Sequence, residues 1–385
     1  MSSRTRIRRL RTVAACLALV VTAAACGNDD GAEVRNLGAE EGSASASAPA
    51  SGTDSGSSSA PASNDPAGDA TNDGGYDYVS DVSAHRLVTE DVCAIGELLG
   101  SDPIDFDAAE AVYGDGEHSV NSDGTVRTLA GFATAADRNH GLDTYYGTPT
   151  PLDDWVTEAL TGTGRFADQS DGARVEAIEK GAQNQILVAW TIHELESALA
   201  KAADGDLNPT SGAPHNWDEA WAFYHGASPD CAPYATADKR AGDFGTTGSG
   251  ATAAANEAIL DAMNRGRDAL IAGDTDAARD AADEVIRNLV ITYSQATIRY
   301  ATLVPADVTN SDLDAAAEHR AEGLAFFRVI EAIVADAGAD VDAINAIYDL
   351  EVELGSTGGD DIGAALQPAW DNLGISAEDI GALDS

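Results

Sequence analysis

The chain has 385 residues and a formal net charge of −43 at pH 7, because 65 Asp and Glu residues outnumber 22 Lys and Arg residues. So negative a surface repels phosphate backbones and anionic lipid headgroups, which excludes nucleic-acid binding. It attracts cations, but a solvated acidic surface suited to a salty habitat explains most of this charge without any metal site.

The first 25 residues have the pattern of an export signal. Five arginines precede an apolar run over residues 12–25. That run is shorter than the roughly 20 residues of a membrane-spanning helix, and it ends in small residues, as a cleaved signal does. The sequence Thr-Ala-Ala-Ala-Cys-Gly at 22–27 resembles a lipobox, where a bacterial lipoprotein is lipidated and cut. We predict a signal peptide at 1–25 and a lipid on Cys26, with cleavage but no lipid as the alternative.

Residues 26–80 are predicted to be the lipid anchor and a disordered linker. They are rich in Ser, Ala, Gly, Asp and Pro and contain little that a core could bury. Such a linker would hold the folded part away from the membrane.

Two cysteines belong to the folded part, because Cys16 lies in the signal and Cys26 at the lipidation site. In an exported protein an even pair indicates a disulfide, here between Cys93 and Cys231. Two thiolates so far apart in sequence make a poor zinc site.

Apolar residues recur at helical spacing through most of the remaining chain, and alternating strand patterns are nearly absent. The sequence therefore predicts an all-α fold. The predicted helices cover residues 87–99, 106–113, 152–160, 173–202, 216–224, 256–272, 277–303, 311–337 and 341–354.

A glycine-rich connector at 245–250 separates two halves, 81–244 and 245–385, that have a similar motif. The first half contains Glu-Ala-Trp-Ala-Phe-Tyr from Glu219, and the second contains Glu-Gly-Leu-Ala-Phe-Phe from Glu322. We predict two helical bundles related by an internal pseudo-twofold duplication. Gly323 costs up to about 1 kcal/mol in a helix relative to Ala, so another helix or a ligand should approach closely there.

Three histidine–carboxylate pairs have helical spacing, and residues three or four apart share a helix face. The pairs are His193 with Glu196, His215 with Glu219, and His319 with Glu322. Bundle cores bind metals with such pairs, and imidazole with carboxylate suits iron, manganese or zinc more than calcium. Surface ion pairs are the alternative, and Glu219 could instead belong to a helix cap with Asn216.

Three further residues are candidate metal ligands. His118 lies in a predicted loop and could be an additional ligand. Tyr224 and Tyr293 are candidate ferric ligands, although aromatic residues at such positions are more often core. Three histidines are not predicted as ligands: His85, His140 and His225.

Two stretches carry a family resemblance: His-Glu-Leu-Glu at 193–196 and Gly-Ala-Pro-His-Asn-Trp-Asp-Glu-Ala-Trp-Ala-Phe-Tyr at 212–224. They resemble the low-iron-inducible periplasmic proteins, which are iron-assimilating proteins of green algae with lipoprotein relatives in bacteria. Segments 107–114 and 129–134 are similar to early parts of that family. The resemblance implies iron capture outside the membrane, with His193, Glu196, His215 and Glu219 as the matched ligands. The layout is also loosely similar to imelysin-type proteins, which are duplicated helical bundles.

We expect a membrane-tethered, extracytoplasmic iron-binding protein that captures Fe²⁺ or Fe³⁺ and passes the ion to a transporter, without catalysis. Serine-hydrolase elbows, phosphate loops and the His-Glu-x-x-His pattern of zinc peptidases are absent from the sequence. Two alternatives stay open. One is an imelysin-like metal-dependent hydrolase, and the other is an acidic surface interaction module without metal.

Overall fold

The computed structural model describes residues 35–36, 72–135, 141–354 and 358–384. The predicted signal peptide, Cys26 and most of the predicted linker lie outside these ranges. None of the helices that the structure describes is both long and apolar enough to cross a membrane.

Helices form nearly all the regular structure of the described residues, which confirms the prediction of an all-α fold. In chain order the helices are α1 (Ser83–Arg86), α2 (Val88–Leu99), α3 (Phe106–Asp115), α4 (Leu129–Thr134), α5 (Leu142–Tyr146), α6 (Pro151–Thr161), α7 (Asp171–Lys180), α8 (Leu187–Ala203), α9 (Ala213–Tyr224), α10 (Pro233–Phe244), α11 (Ala254–Ala272), α12 (Thr275–Asn310), α13 (Leu313–Asp336), α14 (Val341–Tyr348), α15 (Gly359–Leu373) and α16 (Ala377–Ile380).

The strands are two-residue segments that form two small antiparallel pairs. They are β1 (Arg35–Asn36), β2 (Asn72–Asp73), β3 (Tyr76–Asp77) and β4 (Thr125–Val126). Strand β1 pairs with β4, and β2 pairs with β3 as a hairpin directly before α1.

The long helix predicted at 173–202 is divided into α7 and α8 by a π-helical turn, Gly181–Ile186. Gly181 allows close packing there, since a Cβ atom at this position would lie 2.8 Å from Trp155 Cδ1. The wider turn places the buried Asn184 side chain in the core, where its Oδ1 accepts hydrogen bonds from the Thr236 and Tyr293 hydroxyls at 2.8 Å each. Such π-turns are frequent at functional sites.

Two large apolar cores and one small alanine cluster hold the described helices together, and α9 contributes to both large cores. Trp217, Trp221 and Tyr224 of α9 belong to the larger core, which is built mainly on α8, α9 and α11–α15. Phe223 of the same helix belongs to the smaller core, built mainly on α2–α4 and α6–α8. Burying a large side chain contributes roughly 1.5–3 kcal/mol. Helix α9 is therefore fixed from two sides, together with any polar groups it carries.

Gly323 lies inside α13, and its position in a helix predicted that another group packs closely against it. That group is the ring of Tyr348 in α14. A Cβ atom on Gly323 would lie 2.2 Å from Tyr348 Cε1. Gly266 of α11 accommodates Trp217 in the same way, since its Cβ would lie 1.9 Å from Trp217 Cζ2. Glycine thus brings α14 onto α13, and α9 onto α11.

Candidate metal site

Histidine and carboxylate side chains meet where α9 contacts α1 and α8. The group consists of His85, Glu194, His215, Asn216 and Glu219, and we call it the α9 cluster. His215 Nε2 lies 3.0 Å from Glu219 Oε1, and His85 Nδ1 lies 3.4 Å from the same oxygen. Asn216 Nδ2 donates hydrogen bonds to Glu194 Oε2 at 2.5 Å and to Glu219 Oε2 at 3.3 Å. Three helices thus bring two imidazoles and two carboxylates together.

The cluster is buried, with one partly accessible member. Glu194 and Glu219 are 1% and 2% exposed, whereas the His215 side chain is 21% exposed. Burying an ionised carboxylate is costly unless hydrogen bonds or a cation compensate its charge. Among the described residues, none donates a hydrogen bond to the buried amide oxygen of Asn216, so it retains the capacity to accept a donor or a cation.

A chain of hydrogen bonds fixes the tautomer of His215. Asp218 Oδ2 accepts the backbone N–H of Val79 at 2.9 Å and of Ser80 at 2.7 Å, and it lies 2.6 Å from Ser80 Oγ. Because this oxygen already accepts two N–H groups, the proton of the 2.6 Å contact belongs to Ser80. Ser80 Oγ must then accept from His215 Nδ1 at 2.9 Å. Nε2 of the neutral imidazole therefore carries a lone pair.

That lone pair points at a carboxylate oxygen, since His215 Nε2 faces Glu219 Oε1 across 3.0 Å. Two electron-rich atoms at this distance require a positive charge between them, either a proton or a metal cation. The Asp218–Ser80–His215 chain has the form of the outer-shell contacts that orient metal-binding imidazoles. Burial raises the pKa of Asp218, while hydrogen bonds from Ser80 and Tyr76 act in the opposite direction.

The capping interpretation of Glu219 is wrong, because α9 begins three residues before Asn216. Gly212 precedes the first helical residue, Ala213, and makes no side-chain cap. Asn216 is therefore inside the helix, and its amide contacts the Glu219 carboxylate directly. Neither Asn216 nor Glu219 caps the helix, and both belong to the cluster.

The predicted pair His193 and Glu196 lies on α8. His193 is buried, and its Nε2 lies 3.3 Å from Ser197 Oγ. Its ring packs edge-to-face with the Trp190 ring, with 4.9 Å between the ring centroids. Glu196 is exposed and lines an apolar cavity of about 530 Å³. The carboxylate of this turn that reaches α9 is that of Glu194.

Glu322 of the third predicted pair contacts a lysine. Lys180 Nζ lies 3.5 Å from Glu322 Oε1, 3.0 Å from Glu176 Oε2 and 3.1 Å from Glu179 Oε2. Burial lowers the pKa of Lys180, but the three carboxylates outweigh it and raise the pKa above its ordinary value. The ammonium group therefore occupies the position that a metal cation would take among these carboxylates.

The remaining sequence-based candidates also contact other groups. The two histidines contact aspartates: His118 Nδ1 lies 2.8 Å from Asp91 Oδ1, and His319 Nδ1 lies 2.7 Å from Asp307 Oδ2. The two tyrosine hydroxyls donate to asparagine oxygens: Tyr224 to Asn256 Oδ1 at 2.5 Å, and Tyr293 to Asn184 Oδ1 at 2.8 Å. Tyr224 and Tyr293 are fully buried core residues. This agrees with the alternative that aromatic residues at these positions belong to the core.

Within the described ranges, no group of three or more His, Cys, Asp and Glu side chains is already arranged to hold a metal ion. The α9 cluster would need side-chain adjustment to close around one. Sequence reasoning missed two of its members, His85 and Glu194. His85 meets Glu219 only through the tertiary fold. The spacing rule selects Glu196, three residues after His193, and cannot select Glu194, which is adjacent to His193.

The fold and the cluster define an all-α protein with a buried histidine–carboxylate group on one central helix. Its family is more specific, since the family model described as "Low iron-inducible periplasmic protein" matches residues 52–385. The chain therefore belongs to this family. No curated protein and no solved structure matches it.

Proposed function

We propose that this protein binds iron outside the cytoplasmic membrane at the α9 cluster. His215 Nε2 and Glu219 Oε1 would be the central ligands, and His85 and Glu194 would complete the set. The observation that supports this most directly is that His215 Nε2 lies 3.0 Å from a buried carboxylate oxygen, Glu219 Oε1. The family description, with its low-iron induction, favours iron over the manganese or zinc that the same ligands would accept.

The ligand atoms of the cluster are close enough together for side-chain adjustment to bring them around one cation. Metal bonds to imidazole and carboxylate are about 2.1 Å long. Two neighbouring ligands at that length lie about 3.0 Å apart in an octahedral shell and about 3.4 Å apart in a tetrahedral shell. The distances from Glu219 Oε1 to His215 and to His85 are 3.0 Å and 3.4 Å. Binding would replace the proton between His215 and Glu219, and two carboxylates would balance the charge of a divalent ion.

The first prediction is that His215→Ala and Glu219→Gln each weaken Fe²⁺ binding tenfold or more, which is about 1.4 kcal/mol. Anaerobic calorimetric titration of the purified protein measures this. His118→Ala is the matched control, because His118 also contacts a buried carboxylate but lies in the loop after α3. A wild-type protein without a saturable site would contradict the proposal.

Two further variants separate the two ligand sets. Glu194→Gln should weaken binding, whereas Glu196→Gln should leave it unchanged, because Glu194 is buried and contacts Asn216 of the cluster, whereas Glu196 is exposed. The opposite result would favour the pair His193 and Glu196 that the family resemblance implies.

We also propose that a lipid on Cys26 tethers the protein to the membrane, where it would pass iron to a transporter. The export pattern of residues 1–25 supports this. Replacing Cys26 by Ser should move the protein from the membrane fraction to the soluble fraction, and mass spectrometry should find the acyl groups only on the wild-type protein. Equal fractionation of both proteins would contradict the tether.

The duplication of the two halves remains a proposal. Glu219 of α9 and Glu322 of α13 are both buried, and each is followed by a small residue that packs in a core. Under this proposal the second half has lost its metal site to Lys180. Superposing α8–α9 on α12–α13 tests the idea, since a true repeat should align through a rotation near 180°.

A further inference from the structure

A second set of metal-ligating side chains lies where α5 meets α13 and α14. The hydroxyls of Tyr145 and Tyr146 donate hydrogen bonds to Glu331, to Oε1 at 3.2 Å and Oε2 at 2.6 Å. Asn345 Nδ2 donates to Oε1 at 2.7 Å. The two tyrosine rings stand perpendicular, with their centroids 4.9 Å apart. Two phenols from one helix thus converge on one carboxylate from another.

The set is accessible from solvent. Tyr146, Glu331 and Asn345 line a cavity of about 450 Å³ together with Arg328. Tyr145 is 39% exposed, whereas Glu331 is only 4% exposed. A small ion could therefore reach the carboxylate past the phenols, while the surrounding protein keeps the carboxylate away from bulk water.

The hydrogen bonds to Glu331 come from neutral donors, and the nearby Arg328 cation also interacts with its charge. In the part of the chain that the structure describes, no Lys, Arg or His side chain forms an ion pair with this carboxylate. Arg328, one turn earlier on α13, places its guanidinium carbon 4.1 Å from the Tyr146 ring centroid and 4.9 Å from that of Trp155. This cation lies over a phenol ring, where it would stabilise a phenolate.

We propose that Tyr145, Tyr146 and Glu331 form a second binding site, for a hard trivalent cation such as Fe³⁺. Phenolate and carboxylate are hard anionic oxygen ligands, and tyrosinate is a known ligand of ferric iron. On binding, each phenol O–H bond breaks and its proton goes to solvent. Two phenolates and one carboxylate then carry three negative charges, which match the charge of the ion. The metal keeps its oxidation state throughout.

This site differs in chemistry from the α9 cluster, so the two can be tested separately. Burial and the nearby Glu331 charge raise the pKa of Tyr145 and Tyr146 above the ordinary value. Both phenols donate hydrogen bonds to Glu331 and therefore carry their protons without metal, so that binding must displace two protons from the phenols. The apparent affinity should fall about a hundredfold for each unit by which the pH is lowered.

The ferric site can be tested on the wild-type protein titrated with ferric nitrilotriacetate. We expect a phenolate-to-iron charge-transfer band in the visible spectrum. Tyr146→Phe should abolish the band and Tyr145→Phe should weaken or abolish it, because each removes one phenolate but keeps the ring packing. Circular dichroism of both variants checks that they fold.

Two control variants make the outcome specific. Tyr113→Phe should keep the band, although Tyr113 is another buried phenol that donates to a carboxylate, Asp153, at 2.8 Å. Glu219→Gln should also keep it, since no phenol belongs to the α9 cluster. A colourless wild-type protein, or a band that survives in both Tyr145→Phe and Tyr146→Phe, would overturn the proposal and leave iron binding at the α9 cluster untouched.

Discussion

Replacing Lys180 by Met is expected to lower the free energy of unfolding by about 3 kcal/mol. Removing one partner of a buried ion pair costs about 3–5 kcal/mol, because the remaining charge is left uncompensated. Here three carboxylates would lose their shared cation, those of Glu176, Glu179 and Glu322. Their side chains are 10–30% exposed, so solvent screens part of the repulsion and the lower end of the range applies.

Chemical denaturation at pH 7 measures this loss. Lys239→Met is the matched control, since Lys239 is exposed on α10 and its replacement should change stability by less than about 0.5 kcal/mol. The double variant Lys180→Met with Glu322→Gln should recover part of the loss, because it removes one of the unpaired charges. If Lys180→Met were as stable as Lys239→Met, the ammonium would not be the cation that balances this group.

The sequence predicted the helices whose apolar residues recur regularly, and it failed where local signals disagreed. Helix α15 buries Ile362, Leu366 and Trp370 at helical spacing, but Pro368 interrupts the pattern. Helix α10 begins at Pro233 without a side-chain cap, so neither an N-cap nor a long apolar stripe marks it. The π-turn at Gly181–Ile186 is equally hidden, because it changes the hydrogen-bond pattern without ending the helix.

The α9 cluster shows a different limit of sequence reasoning. His215 and Glu219 are four residues apart on one helix, and their contact follows from helix geometry alone. Their partners depend on packing between helices, which spacing does not encode. For the same reason, Glu322 was matched with its neighbour His319, whereas the fold gives it Lys180 from α7. Local periodicity predicts which residues share a face, and only the tertiary fold decides what that face meets.

Loss of the disulfide is the other change with a large expected effect. Cys93 of α2 is bonded to Cys231, which lies in the turn after α9, and the two are 138 positions apart. A crosslink that closes so long a loop restricts the unfolded chain strongly. We expect the Cys93→Ala, Cys231→Ala double variant to lose about 2–5 kcal/mol of unfolding free energy.

Denaturation with and without reductant distinguishes the crosslink from the packing of the two side chains. The wild-type protein should be destabilised by reductant to about the level of the double variant, and the double variant should not respond to reductant. Cys26→Ser is the control, because Cys26 has no part in this bond and its replacement should leave the denaturation curve unchanged. A wild-type curve that reductant does not shift would contradict the prediction. Because the bond ties α2 to the chain just beyond α9, its loss should also weaken Fe²⁺ binding at the α9 cluster more than ferric binding at Tyr145 and Tyr146.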